Sequence, residues 1–169
     1  MVPLTLAPDD ILLRLGAAAL AGAILGINRD LRGKPAGLRT HALVTLGAAV
    51  IVIVSSELAH DAGQSDVDAV SRVIQGLITG IGFLGAGVII HAQGEVRGLT
   101  SAATVWVAAM LGAAYGGGHW MSGTAGLALT LITLVFGGSV EGWAHRAFGT
   151  DRREGGARRR GTGGHRLED

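Results

Sequence analysis

The chain has 169 residues, of which 49% are hydrophobic and 16% charged, with a formal net charge of +1 and no cysteine. A soluble domain carries about 25% charge, and a chain this short has no outer layer to cover so much apolar surface, so lipid is the expected solvent. The absence of cysteine excludes disulfides, thiolate catalysis and cysteine-ligated metals.

Five apolar runs follow in order: Ile11–Ile27, Thr40–Ser56, Val73–Ile90, Leu99–Tyr115 and Trp120–Val140. Each has the roughly 17 to 25 residues needed to cross a bilayer. The expected fold is all-α, a polytopic bundle of five transmembrane helices over residues 1–145. The first run is preceded by Asp9 and Asp10, where a signal peptide would be basic, and no small-residue cleavage site follows, so it is expected to stay as helix one.

Between the first two runs lies GINRDLRGKPAGLRTHALV. Pro35 and Gly37 break the helix, Leu38 restarts it, and Arg39, Thr40 and His41 stand at the start of helix two. The four basic residues of this linker suit an anionic inner leaflet. Alternatively, Asn28, Asp30, Lys34, Arg39 and His41 form a polar cluster that caps the bundle. No H-E-x-x-H and no His pair at i and i+4 supports a catalytic metal.

The third run contains GIGFLG, a formal match to the dinucleotide-binding glycine pattern. A Rossmann unit needs a strand-turn-helix context and an acid about 20 residues on. Here Val73–Ile90 carries no charge and the next acid is Glu95, so the glycines point to helix packing. At about 100° per residue, Gly76, Gly80 and Gly87 share one face, with Gly82 and Gly85 on the far side. In lipid, small residues let backbones approach, so this helix is expected to be close-packed on two sides. A second stripe joins Asp68, Arg72, Gln75, Thr79, Gly82 and Ala86 within about 80°. Ser65 and Asp68 fit a helix-start signature near Asp66, and Asp68 and Arg72, one turn apart, can pair. The stripe is either a wet first turn or the lining of a polar cavity.

Helix four gathers Thr100, Thr104, Ala108 and Tyr115 on one side, flanked by Ser101 and Gly112, with Trp106 opposite. Its hydroxyls suit bonds to their own backbone or to a neighbouring helix. In helix five, Trp120 and Trp143 stand about 34 Å apart at 1.5 Å per residue, a spacing that fits two membrane interfaces. Residues 146–169 hold seven Arg and six Gly with almost no apolar residues, a composition expected to be disordered.

With five alternating helices, the linkers Asn28–Arg39 and His91–Gly98 and the tail share one side, which carries 12 of the 14 basic residues. The positive-inside rule then puts the N-terminus outside and the C-terminus in the cytoplasm.

GKPAGLRTHALV, the Asp68 and Arg72 pair, GIGFLGAGVI and GLTSAATVW occur in this order over roughly residues 9–142. Together they resemble the MgtC/SapB family of bacterial inner-membrane proteins, in its short form without the C-terminal ACT-like domain. Two positions depart from the pattern: Asn28 stands where an acid is common, and Ser101 replaces a usual Thr. The resemblance implies a multi-pass inner-membrane protein linked to adaptation to magnesium limitation or to acid and intracellular stress.

Two function classes are consistent with these residues. In one, the bundle regulates a membrane partner, an ion transporter or the ATP synthase, or associates with itself through its small-residue faces. In the other it is a small transporter or channel for Mg²⁺ or another cation along the polar stripes. Regulation is favoured because no acid lies within the apolar runs of helices three and four to couple an ion. No nucleophile and base pair, metal set or cofactor motif suggests an enzyme, and nothing supports nucleic-acid binding.

Overall fold

Five helices and one short hairpin make up the structure, a computed structural model that describes residues 6–62, 66–92 and 95–148. In chain order they are α1 (Pro8–Leu31), α2 (Leu38–Asp61), α3 (Asp66–Val88), β1 (Ile90–Ala92), β2 (Glu95–Arg97), α4 (Leu99–Gly116) and α5 (Trp120–Phe148). All five helices are long and apolar enough to cross a membrane. Most extend past the apolar runs because polar ends continue the helix into the headgroup region.

Local chemistry sets the boundaries. Pro8 opens α1, where its fixed φ suits the first helical position, and Asp9 and Asp10 complement the helix dipole there. The helix closes when the Lys34 N–H bonds back to the Arg29 carbonyl, with Gly33 left-handed at φ 60°. Ala36 is left-handed too, at φ 59°. The chain then turns into α2, whose first N–H, that of Leu38, donates to Asp30 Oδ2 at 2.9 Å. Beyond α3 the chain leaves the helix and forms an antiparallel pair, Ile90 opposite Arg97 and Ala92 opposite Glu95. Gly98 then begins α4 with φ 92°. A β-carbon at Gly98 would also collide with the Val88 carbonyl, so sterics and backbone conformation both demand glycine there.

The core sits among α1, α2 and α4, which pack mutually, while α3 leans on α2 and α4. Close approach is made by four glycines. Gly22 lies against His41 and Thr45, Gly26 against Leu38, Gly112 against Thr45 and Ala48, and Gly116 against Ala49. Ala18, Ala21, Ala49 and Tyr115 fill one end of this core, and Ala48, Ile81, Val105 and Ala109 fill another part of it. Small residues on all faces are what let three helices share one seam in lipid.

α3 behaves differently from the sequence-based expectation of a close-packed helix. It meets its neighbours through Ile81, Leu77 and Val88. Gly76, Gly80, Gly82 and Gly87 have nothing within 4 Å of where a β-carbon would stand, and Gly85 touches only Ala102. Whereas 56% of the α4 span is buried inside the chain, the figure for α3 is 6%. The reason is angular: Leu77, Ile81 and Val88 point about 100° away from the glycine row and nearly opposite the polar stripe.

Contacts divide the chain into two units, Met1–Thr133 and Leu134–Asp169. In the first, the start of α5 docks on Tyr115: its ring lies 5.9 Å from that of Trp120 and against Gly123. The described part of the second is the continuation of α5 to Phe148, which carries the helix three residues past the tail boundary drawn from composition. Residues 149–169, and with them most of the Arg-rich tail, lie outside the described residues, as does Ser65.

Candidate functional site

Three helices meet at a buried polar line near the α1–α2 linker. From α1, the Arg29 guanidinium is 3% exposed, and its Nη2 donates to Ser101 Oγ of α4 at 2.6 Å. One turn further along α4, Thr104 donates to the Ser101 carbonyl at 2.8 Å. Thr104 Oγ1 also lies 3.2 Å from Nε2 of His41, a fully buried ring on α2 whose Nδ1 is 3.0 Å from the Gly37 carbonyl. Thr45, one turn on, turns its hydroxyl back to the His41 and Ala42 carbonyls at 3.1 and 3.0 Å.

The hydrogen-bond roles follow from the partners. A carbonyl can only accept, so the proton of a neutral His41 belongs on Nδ1, facing Gly37. Nε2 then accepts, and it competes with the Ser101 carbonyl for the single Thr104 hydrogen. A ring protonated on both nitrogens would donate to Gly37 and Thr104 together and leave the Thr104 hydrogen to Ser101. The line is thus a set of coupled bonds across three helices. Among the described residues there is no group of three His, Asp or Glu that could hold a metal ion.

Two buried polar atoms at this end of α1 lack partners. Arg29 Nε and Asn28 Oδ1 are both buried without a hydrogen bond. Buried polar groups are nearly always satisfied, which sets these two apart from Ser101, Thr104 and His41, whose polar atoms are bonded.

The candidates named from sequence fall into three groups. His41 and Thr104 are brought together, and Asp30 caps α2 beside them. Asp30, Arg39 and Thr40, with Gly37 and Leu38, line an open recess of about 440 Å³ at the surface of the same end, and Lys34 is exposed next to it. Thr100 is exposed on α4 and takes no part in the line. Asp68, Arg72, Gln75 and Thr79 are all exposed; Thr79 donates to the Gln75 carbonyl of its own helix at 2.9 Å. Asp10 and Arg14 form an ion pair at 2.8 Å, whereas Asp68 and Arg72 do not pair.

Arg29, Ser101, Thr45 and Arg14 were missed as functional candidates by sequence reasoning. A signal existed for Arg29, since Gly22, Gly26 and Arg29 at i, i+4 and i+7 mark one helix face. Arg14 also donates from Nη1 to the Gly116 carbonyl at 3.1 Å, tying the start of α1 to the end of α4, where a cation suits the helix dipole.

Comparison with known proteins points in one direction. The family profile described as the MgtC family matches residues 15–143. The chain is 43% identical over 129 residues to Protein SrpB of Synechococcus elongatus, covering 72% of this chain and 71% of that protein. It is 39% identical over 127 residues to the Putative magnesium transporter YhiD of Escherichia coli K12, covering 74% and 59%. It is 42% identical over 123 residues to Protein MgtC of Salmonella typhimurium, covering 73% and 49%. The chain therefore spans about half the length of this last relative and under two thirds of YhiD. No solved structure matches.

Proposed function

Because the chain belongs to the MgtC family and is a multi-pass bacterial membrane protein, we propose that it acts in the inner membrane by binding and regulating another membrane protein. The process would be adaptation to magnesium limitation or to acid and intracellular stress. The surface would be the uncovered side of α3. The observation that carries this reading is the open glycine row Gly76, Gly80 and Gly87 beside exposed Arg72, Gln75 and Thr79. A glycine row in lipid gains dispersion only when another backbone lies on it, and an ionisable residue within a span calls for a protein or water partner. The two stripes are adjacent, about 100° apart on the helix, so one docked helix covers both.

The alternative takes its support from the printed name of the Escherichia coli relative, which is a putative magnesium transporter. The polar stripe would then border a pathway. The geometry favours regulation, because the stripe faces away from the rest of the chain rather than into the bundle.

The test joins a variant to a flux assay. Gly80→Ile meets open space inside the chain, so the variant should be produced and unfold like the wild type, yet fail to support growth at low magnesium. Liposomes holding only the wild-type protein should show no Mg²⁺ flux above empty vesicles. Full growth of the Gly80→Ile strain would remove the docking surface, and robust flux would select the transporter.

A further inference from the structure

We propose that Arg29, together with the first turn of α4, forms a binding site for a phosphate group. The guanidinium is buried to 3% exposure, and its bond in the structure is to a neutral hydroxyl, Ser101 Oγ at 2.6 Å. Its Nε points at no acceptor. The adjacent acid, Asp30, is turned to the Leu38 N–H at 2.9 Å, and among the described residues no carboxylate pairs with Arg29. A buried cation without a counter-charge is costly, and the surroundings make it worse. Ser101 is the third residue of α4, and the helix start is Gly98, with no side chain capping it. Arg29 therefore sits at the positive end of an 18-residue helix, where a cation is disfavoured and an anion favoured.

The hydrogen-bonding groups left over on Arg29 and at the start of α4 are donors. Four of the five guanidinium hydrogens remain, including that on Nε. Ser101 accepts through Oγ and can give its own hydrogen, and the first-turn N–H groups of α4 have no side-chain acceptor. Such a set matches a tetrahedral, acceptor-only group with several oxygens, which a guanidinium and a helix start bind jointly. A phosphate is favoured over a partner's carboxylate because this end of the bundle carries the basic linker. Arg32 and Lys34 lie on the α1–α2 connection, Arg39 in the first turn of α2 and Arg97 two residues before α4, a concentration of cations suited to the headgroup level. The phosphate has two sources, an anionic lipid headgroup or free phosphate. Neither depends on what covers α3.

The experiment uses the full chain, purified in neutral detergent and stripped of lipid, with thermal unfolding followed by tryptophan fluorescence. Sodium phosphate is titrated against sodium chloride at matched ionic strength. In a second arm, short-chain phosphatidylglycerol is titrated against diacylglycerol of the same chain length. A saturable rise in Tm is expected with at least one phosphate source and not with its control. A response to free phosphate identifies a soluble ligand, and a response to the lipid alone identifies a headgroup. Ser101→Ala and Arg29→Lys should each weaken the apparent affinity by about tenfold or more, the loss expected for a charge-assisted hydrogen bond. Arg39→Gln, on the exposed rim, should change it by about twofold or less. No shift from either source with the wild type overturns the site, with no variant required. So does a shift that survives unchanged in Ser101→Ala or Arg29→Lys.

Discussion

Thr104 serves two neighbours with one hydroxyl, and this makes it the residue where the polar line is easiest to break. Thr104→Val keeps the shape and removes the oxygen, which leaves His41 Nε2 buried with no partner. A buried group stripped of its hydrogen bond costs about 1 to 3 kcal/mol, so thermal unfolding in detergent should show that loss for Thr104→Val and near wild-type stability for Thr104→Ser. The sequence singled out His41 and Thr104 separately, yet it did not join them or find Arg29 and Ser101. The physical reason is that 100° per residue tells which face of a helix a side chain shares, but not which helix that face will meet. Arg29 was hidden further by its company: among Arg32, Lys34 and Arg39 it read as one more basic anchor, whereas it alone of the four is buried.

At the level of helices, the same residue type plays opposite parts. Gly112 lies so close to the Thr45 carbonyl that any side chain must push α2 and α4 apart, while Gly80 on α3 meets nothing in the chain. Gly112→Val should therefore destabilise the protein by about 1 to 3 kcal/mol, as overpacking does, and Gly80→Val should leave unfolding unchanged; parallel denaturation in detergent compares them directly. Counting glycines in the sequence drew attention to GIGFLGAG because they are dense there. The seam instead uses Gly22, Gly26, Gly112 and Gly116, spaced one turn apart in two helices that look otherwise like plain apolar spans. Periodicity located most of the small, hydroxyl-bearing side of α4: Thr104, Ala108 and Tyr115 are buried, as are the flanking Ser101 and Gly112, and Trp106 is exposed, but Thr100, grouped with them, is exposed too.

For the molecule as a whole, five spans were legible because length and apolarity alone dictate them. Orientation follows from charge rather than from packing, and it carries its own prediction. A reporter active only outside the cytoplasm, fused after Asp169, should be silent, while the same reporter placed in the α2–α3 connection should be active. Equal signals at both positions would break the alternation of five spans.

The seam joins the first, second and fourth helices and leaves the third beside it, so the order of synthesis differs from the order of packing. A nascent chain offers α1 and α2 to the membrane before α4 exists, with Arg29, His41 and Thr45 lacking the surface that later encloses them. α3 emerges next and must stay clear of the gap that α4 fills. The ribosome therefore delivers the polar line in an unfinished state for the time it takes to make some 40 residues, about 2 to 8 s at 5 to 20 residues per second. During that interval Arg29 lacks the Ser101 hydroxyl that accepts its hydrogen bond, and arrival of α4 supplies it.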